Sequence, residues 1–317
     1  MVSRICMMQQ QPEARVLYCF FLLFVLLLHI KQGDAADAAS NNIVLGASLK
    51  GIETHISKGG KFTLGFFNLN NNNNNVKNWY VGIWYATASP QTIVWVANRE
   101  QPLQNNSAVF NLTMDGSLLL SYGGSILWST KGNMRKPSSA MIMDSGNLVV
   151  LSSKNSADII WQSFDHPGNT WLPGMKVSMS QAVTSWRSPW DPRPGRFSIQ
   201  MDPKGSDQYV LLWKNRIKCW ESGVWNGQIF SEIPEMTHNY IYDFNFFDNG
   251  SYKYFTISVK PNFTSYLSRF VVEEEGQLRV YIMLGNNKWS MLWAQPKDQC
   301  NMYALCGTYG SCNNDNL

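Results

Sequence analysis

The chain has 317 residues, a formal net charge of +4 and only 15% charged residues. That length allows two domains of ordinary size once a leader is set aside. The lysines and arginines are scattered, with no basic block and no basic stripe interleaved with aromatics, which argues against a nucleic-acid partner. In chain order, Arg4 and Arg15 precede an apolar run from Val16 to Ile30. The run is short for a bilayer span and right for a signal-peptide core. Small residues follow, with Gly33-Asp34-Ala35 or Ala36-Asp37-Ala38 as cleavage sites, so residues 1–38 read as a signal peptide; an uncleaved signal anchor is the competing reading. Beyond it stand four N-x-Ser/Thr acceptors, at Asn105, Asn111, Asn249 and Asn262. Together with a leader they predict a secreted glycoprotein, in a compartment where disulfides form.

Trp95, Trp128 and Trp161 are spaced 33 residues apart, within the strings IVW, ILW and IIW. Equal spacing twice over marks a repeat. The repeat carries Gly, Asn and short apolar runs, such as Leu118–Leu120 and Leu148–Leu151, without a helical stripe, so its unit is made of strands. Three equivalent units with an inward Trp predict a three-sided β-prism over residues 39–163, and the in-register rings read as core. The Asn70–Asn75 run reads as a surface loop. Asp115-Gly116 and Asp144-Ser145-Gly146-Asn147 are turn signals.

The second half is richer in aromatics. Ser188 to Gly195 contains three prolines and reads as a loop. Phe244–Phe247 and Tyr252–Val259 read as a hairpin about Asp248–Ser251, with Phe255, Ile257 and Val259 on one face. Arg269–Val272 and Gln277–Leu284 form a second hairpin about Glu273-Glu274-Glu275-Gly276, with Leu278, Val280, Ile282 and Leu284 on one face. The 13 tryptophans suffice to fill two cores. Cys300, Cys306 and Cys312 then follow at equal intervals, as in small disulfide modules. Cys219 reads either as a buried free thiol or as a partner of Cys306.

Catalytic chemistry finds little support. Asp165-His166 precedes Pro167-Gly168 and so sits in a turn. His55, His166 and His238 are scattered, which gives neither a triad nor a metal site. Glu273–Glu275 reads as a solvated turn, not as a carboxylate pair facing across a cleft. No cofactor, metal or catalytic residue is expected, and the phosphate loop, strand Lys and catalytic Asp of a kinase are absent from the sequence.

The strings WYVGIWY, IVWVANREQPL, MDSGNLVVL and WQSFDHPGNTWLPGMK, in that order, resemble the bulb-type lectin domain of plant S-domain receptor-like kinases. SWRSPWDPRPGRFSIQMDP and WESGVWNGQIFSEIPEM resemble the S-locus glycoprotein domain that follows it, and the Cys300–Cys312 stretch resembles the start of an EGF-like module. The resemblance implies an all-β chain: a bulb-lectin prism (39–163), a second prism-like S-locus glycoprotein domain (164–295) and a partial EGF-like stub (296–317). It implies an extracellular recognition ectodomain, secreted or on the outer face of the plasma membrane, that stops before a membrane helix and kinase. Its partner would be a peptide, protein or other cell-surface ligand, in pollen recognition or defence signalling; a secreted mannose-binding lectin is the alternative. Homodimerisation and association with a full-length receptor kinase both stay open.

The family's sugar motif is Q-x-D-x-N-x-V-x-Y. Overlaid here, the third repeat offers Met143, Ser145, Asn147, Val149 and Leu151, of which Asn147 and Val149 match. The second repeat offers Thr113, Asp115, Ser117, Leu119 and Ser121, of which Asp115 alone matches. An apolar residue cannot replace a hydrogen-bonding partner of a sugar hydroxyl, so these strands are expected to build the prism without binding mannose. The EGF-like pattern implies a Cys300–Cys312 bridge that leaves Cys306 without its partner, and poor order after Cys312.

Overall fold

The computed structural model describes residues 42–70, 77–130, 136–155, 157–307 and 310–313. The proposed leader, most of the Asn70–Asn75 run and the end of the chain after Asn313 lie outside the described residues. Among these residues the regular structure is strands, with only short 3-10 turns at Ser163–Asp165, Pro234–Met236, Pro261–Phe263 and Gln299–Asn301.

The strands form six antiparallel sheets. Sheet 1 holds Thr54–Ile56, Phe62–Asn70, Lys77–Tyr85 and Ile93–Val96; sheet 2 holds Ser48–Lys50, Val109–Leu112, Leu118–Tyr122 and Ser125–Ser129. Sheet 3 holds Asn42–Val44, Pro137–Ile142, Leu148–Ser152 and Ile159–Gln162. The second half repeats the plan. Sheet 4 holds Ala182–Ser188, Asp191–Met201, Tyr209–Trp213 and Ile217–Glu221, and sheet 6 holds Thr170–Trp171, Ser268–Val272, Leu278–Met283 and Trp289–Gln295. Sheet 5 has three strands, Lys176–Ser178, Lys253–Val259 and Tyr242–Asp248.

One topological device occurs in both halves. Three short lead strands are laid down in succession, and each joins a different sheet in reverse order. Asn42–Val44 enters sheet 3, Ser48–Lys50 sheet 2 and Thr54–Ile56 sheet 1; likewise Thr170–Trp171 enters sheet 6, Lys176–Ser178 sheet 5 and Ala182–Ser188 sheet 4. Every sheet is thus tied to the chain start of its half, which closes three sheets around one core. Alternate residues of the middle strands supply most of that core: Leu64, Ile83, Phe110, Leu118, Leu120 and Leu148 are fully buried in the first half, and Leu211 and Val272 in the second, joined by Val183 of a lead strand, as period-2 strands require.

Within the first half, close backbone approach explains one glycine. Gly82 lies opposite Gly65, and a Cβ there would stand 2.4 Å from the Trp95 carbonyl oxygen. Gly146 has φ +83° and closes a turn by donating its N–H to Met143 O at 2.9 Å, a backbone state other residues reach only with strain.

Hydrogen bonds join the halves. The buried Tyr85 hydroxyl donates to Ser268 O at 2.8 Å, Trp289 Nε1 to Thr92 Oγ1 at 2.8 Å and Trp95 Nε1 to His166 O at 2.9 Å. Arg99 donates from Nε to Pro192 O at 2.7 Å and from Nη2 to the Thr184 and Ser185 carbonyls. Burial pushes its guanidinium down to about 10, which leaves it a cation at neutral pH.

Three local expectations are corrected. The proline-rich 188–195 stretch is not a loop: Asp191–Met201 is a strand that begins inside it. The prolines sit where the register shifts, Trp186 opposite Pro194 and Ser188 opposite Asp191, so they interrupt no regular ladder bond. Leu284 lies beyond the strand end at Met283 and is 47% exposed, while Leu278, Val280 and Ile282 are buried. The glutamate turn is only partly solvated. Glu273, Glu274 and Glu275 are half-buried; Arg279 pairs with Glu273 and Glu275, and Tyr281 donates to Glu273 at 2.9 Å. Burial raises the Glu274 carboxyl above its ordinary range.

Candidate functional site

The motif strands come first, because they would carry sugar binding. Asn147 opens the middle strand of sheet 3 and is 6% exposed. Its Nδ2 donates to Gln162 Oε1 at 2.9 Å, and its Oδ1 accepts from Ser163 Oγ and from the Phe164 N–H, each at 3.2 Å. The amide is therefore held at one end by Gln162, the last residue of the next strand, and at the other by the turn Ser163–Asp165. Val149 is fully buried between its neighbours Met141 and Gln162. In sheet 2 the exposed Asp115 accepts from Thr113 Oγ1, the Ser117 N–H and Ser117 Oγ. These bonds, that of Thr113 foremost, hold its carboxyl below the usual carboxylate range. Asp115 thus fastens its own turn. Asp115 and Asn147 lie in different sheets and are not brought into one site.

The three repeat tryptophans do meet. Ring centroids lie 6.0 Å apart for Trp95 and Trp128, 6.1 Å for Trp95 and Trp161, and 6.3 Å for Trp128 and Trp161, all edge to face. That geometry suits the quadrupoles of aromatic rings and adds about 0.5–1.5 kcal/mol per pair beyond area burial. Trp95 is buried, while Trp128 and Trp161 are half-buried. Their outer faces form part of the floor of an open cleft of about 880 Å³, with Glu100, Gln101 and His166 among its walls. The His166 ring stacks on Trp161 at 5.6 Å, and Gln162 Nε2 donates to the neighbouring Asp165 at 2.9 Å. Asp165 and His166 thus serve packing and turn geometry.

Of the four sequons, Asn105, Asn249 and Asn262 are exposed; Asn111 is half-buried in a strand, with its Oδ1 buried and unpaired. Cys300 and Cys312 are bridged. Cys219 is a half-buried thiol and Cys306 an exposed one; burial raises the Cys219 thiol. Among the described residues no cluster of His, Cys, Asp and Glu could hold a metal, and no helix is long and apolar enough to cross a membrane.

A recurring clamp escaped the sequence reading. A side-chain oxygen just past the repeat Trp accepts a backbone N–H of the middle strand: Thr130 from Leu118, Ser163 from Leu148 and Ser222 from Tyr209, each at 2.9 Å. The string W-x-Ser/Thr at Trp128, Trp161 and Trp220 was the available signal, and it links the two halves.

Two family models match the chain. The family model described as D-mannose binding lectin matches residues 92–188, and that of the S-locus glycoprotein domain matches residues 220–317. The S-locus-specific glycoprotein of Brassica oleracea var. alboglabra is 34% identical over 92% of this chain and 68% of its own length. The chain belongs to the S-locus glycoprotein and S-domain receptor kinase family. Within that family, a G-type lectin S-receptor-like serine/threonine-protein kinase of Arabidopsis thaliana is 40% identical over 92% of this chain and 35% of its own length. The chain thus spans about a third of the receptor-kinase relatives it matches, and neither matched domain is a kinase. A solved monomeric monocot mannose-binding lectin from Gastrodia elata is 17% identical, with a TM-score of 0.30, over 39% of this chain and 96% of that one.

Proposed function

We propose that the chain is an extracellular recognition ectodomain that binds a peptide or protein ligand at the cell surface, and that it does not bind mannose through its degenerate motif strands. The carrying observation is the Asn147 amide, which is 6% exposed and has its oxygen and one of its two N–H groups engaged inside the fold. The open cleft floored by Trp128 and Trp161 supports a contact with a protein partner instead, since aromatic rings with a polar rim are the usual anchors of interfaces. In this reading residues 1–38 are the leader, 39–163 the lectin domain, 164–295 the S-locus glycoprotein domain and 296–317 the EGF-like stub. The sequons carry glycans, and the chain acts outside the cell, alone, as a dimer or beside a full-length receptor kinase.

The mannose-binding alternative draws on the matched lectin family. A glycan array probed with the secreted full chain separates the two. The proposal expects no mannose-terminated glycan to score, and expects Trp128→Ala to abolish capture of whatever cell-surface protein the chain crosslinks to. Mannose signals that vanish in Asn147→Ala would favour the lectin.

A further inference from the structure

Five tryptophans in this fold are one structural position. Trp95 lies opposite Ile83, Trp128 opposite Leu120, Trp161 opposite Val150, Trp220 opposite Leu211 and Trp293 opposite Val280; in each sheet the register shifts just after that pair. Every one sits on the fourth strand of its sheet. Sheet 5 has three strands, and its hairpin pairs Tyr242 to Asp248 with Val259 to Lys253 without a shift. Among the described residues there is no sixth such position. Trp220 and Trp293 still meet edge to face at 6.4 Å and 76°, much as Trp95 and Trp128 do at 6.0 Å and 76°, but sheet 5 supplies no third indole.

A cavity of about 210 Å³ lies between that pair and sheet 5. Trp171, Trp220, Phe244, Phe255, Ile257 and Trp293 are among its walls. An enclosed apolar cavity of about 150 Å³ accommodates benzene, so by volume this pocket, which is as open to solvent as the Trp128 cleft, has room for a second fused ring. Its polar groups narrow the choice: Asn239 and the Tyr242 hydroxyl also line it, and that hydroxyl, like the Trp293 indole, is buried with no well-formed hydrogen bond. Trp293 Nε1 is buried and makes no well-formed hydrogen bond; the acceptor it faces is the Glu235 carboxylate, which it helps to hold charged, so a ligand acceptor would compete with that carboxylate for the indole N–H. Lys297 pairs with Glu235 at 2.6 Å and is the main cause of its lowered pKa. A ligand anion would meet the Glu235 carboxylate, and a ligand cation would find that carboxylate already neutralised. Ser222 Oγ accepts from Tyr209 N and donates to Gly223 O, so it is spent.

We propose that this cavity binds a neutral, bicyclic aromatic small molecule with one hydrogen-bond acceptor, its rings standing in for the missing third indole and its acceptor taking the Trp293 N–H. The site goes beyond the recognition function proposed above and does not depend on the ligand at the Trp128 cleft.

Calorimetric titration of the secreted full chain with coumarin, naphthalene, choline and decanoate tests it. Coumarin should bind saturably, one per chain, and more tightly than naphthalene. Trp293→Phe, which keeps a ring but removes the donor, should weaken coumarin roughly tenfold and leave naphthalene nearly unchanged. Phe244→Trp should fill the space, abolish coumarin binding and raise the thermal midpoint; Ile257→Phe serves if that variant does not fold. Absence of coumarin binding overturns the proposal. So does binding that survives both filling variants, or preferential binding of choline or decanoate, which would make the cavity a cation cage or an acyl site.

Discussion

Replacing Asn147 by Ala distinguishes a sugar ligand from a structural clamp. The side chain is 6% exposed and makes three hydrogen bonds, to Gln162, Ser163 and the Phe164 N–H. Truncation leaves the buried Phe164 N–H without an acceptor and deprives the buried Ser163 hydroxyl of one. Gln162 is half-buried and regains water. An orphaned buried donor costs about 1–3 kcal/mol, so the variant should lose about 2–4 kcal/mol, or roughly 4–12 °C in thermal midpoint for a chain of this size. Urea unfolding of the secreted protein, followed by tryptophan fluorescence, measures the loss. Asn245→Ala, at an exposed strand position, is the control and should stay within about 0.5 kcal/mol. An Asn147→Ala protein as stable as that control would refute the clamp.

The remaining predictions use other parts of the fold. Tyr85→Phe removes the hydroxyl that bonds Ser268 O across the two halves and should cost about 1 kcal/mol in unfolding free energy; an unchanged midpoint would mean the bond is not made in solution. Glu274 has a raised folded-state pKa, so it binds protons more readily folded than unfolded, and its contribution declines as pH rises from the ordinary glutamate range through the folded value. Glu274→Gln should therefore stabilise the protein at neutral pH, with the gain fading in acid; a pH-independent difference would rule out titration as its source. Non-reduced peptide mapping should show Cys300 joined to Cys312, a closure worth roughly 3 kcal/mol in the chain-entropy model, with Cys306 alkylated readily and Cys219 slowly. A dominant Cys219–Cys306 bridge would contradict that. Deglycosylation should shift the secreted band down on a gel, and an unshifted product would count against extracellular glycosylation.

The first three sheets could be read from the sequence because unequal connections add to the same total between their equivalent tryptophans. Trp95, Trp128 and Trp161 recur at one interval, and the rings meet in space. The same position recurs at Trp220 and Trp293, but there the totals differ and no fixed period survives. Sheet 5, with a strand missing, removes the sixth mark altogether. The proline-rich strand was misread because proline bars a regular ladder bond, yet a stretch where the register shifts requires none. The reverse-order lead strands were invisible for another reason: strands of two to seven residues carry too few positions to show a pattern. At the motif, the loss of Gln, Asp and Tyr was plain in the sequence. That Asn147 had become a clamp was not, because its partners Gln162 to Phe164 lie about 15 residues away, on and beyond the next strand.

The central claim is that this lectin-like fold recognises its ligand without the mannose strands. Titration calorimetry of the secreted full chain with mannose and with dimannosides tests it most directly. The account predicts no saturable heat with either sugar. Saturable binding of either sugar would contradict it, and loss of that binding in a folded Asn147→Ala protein would assign it to the motif strand.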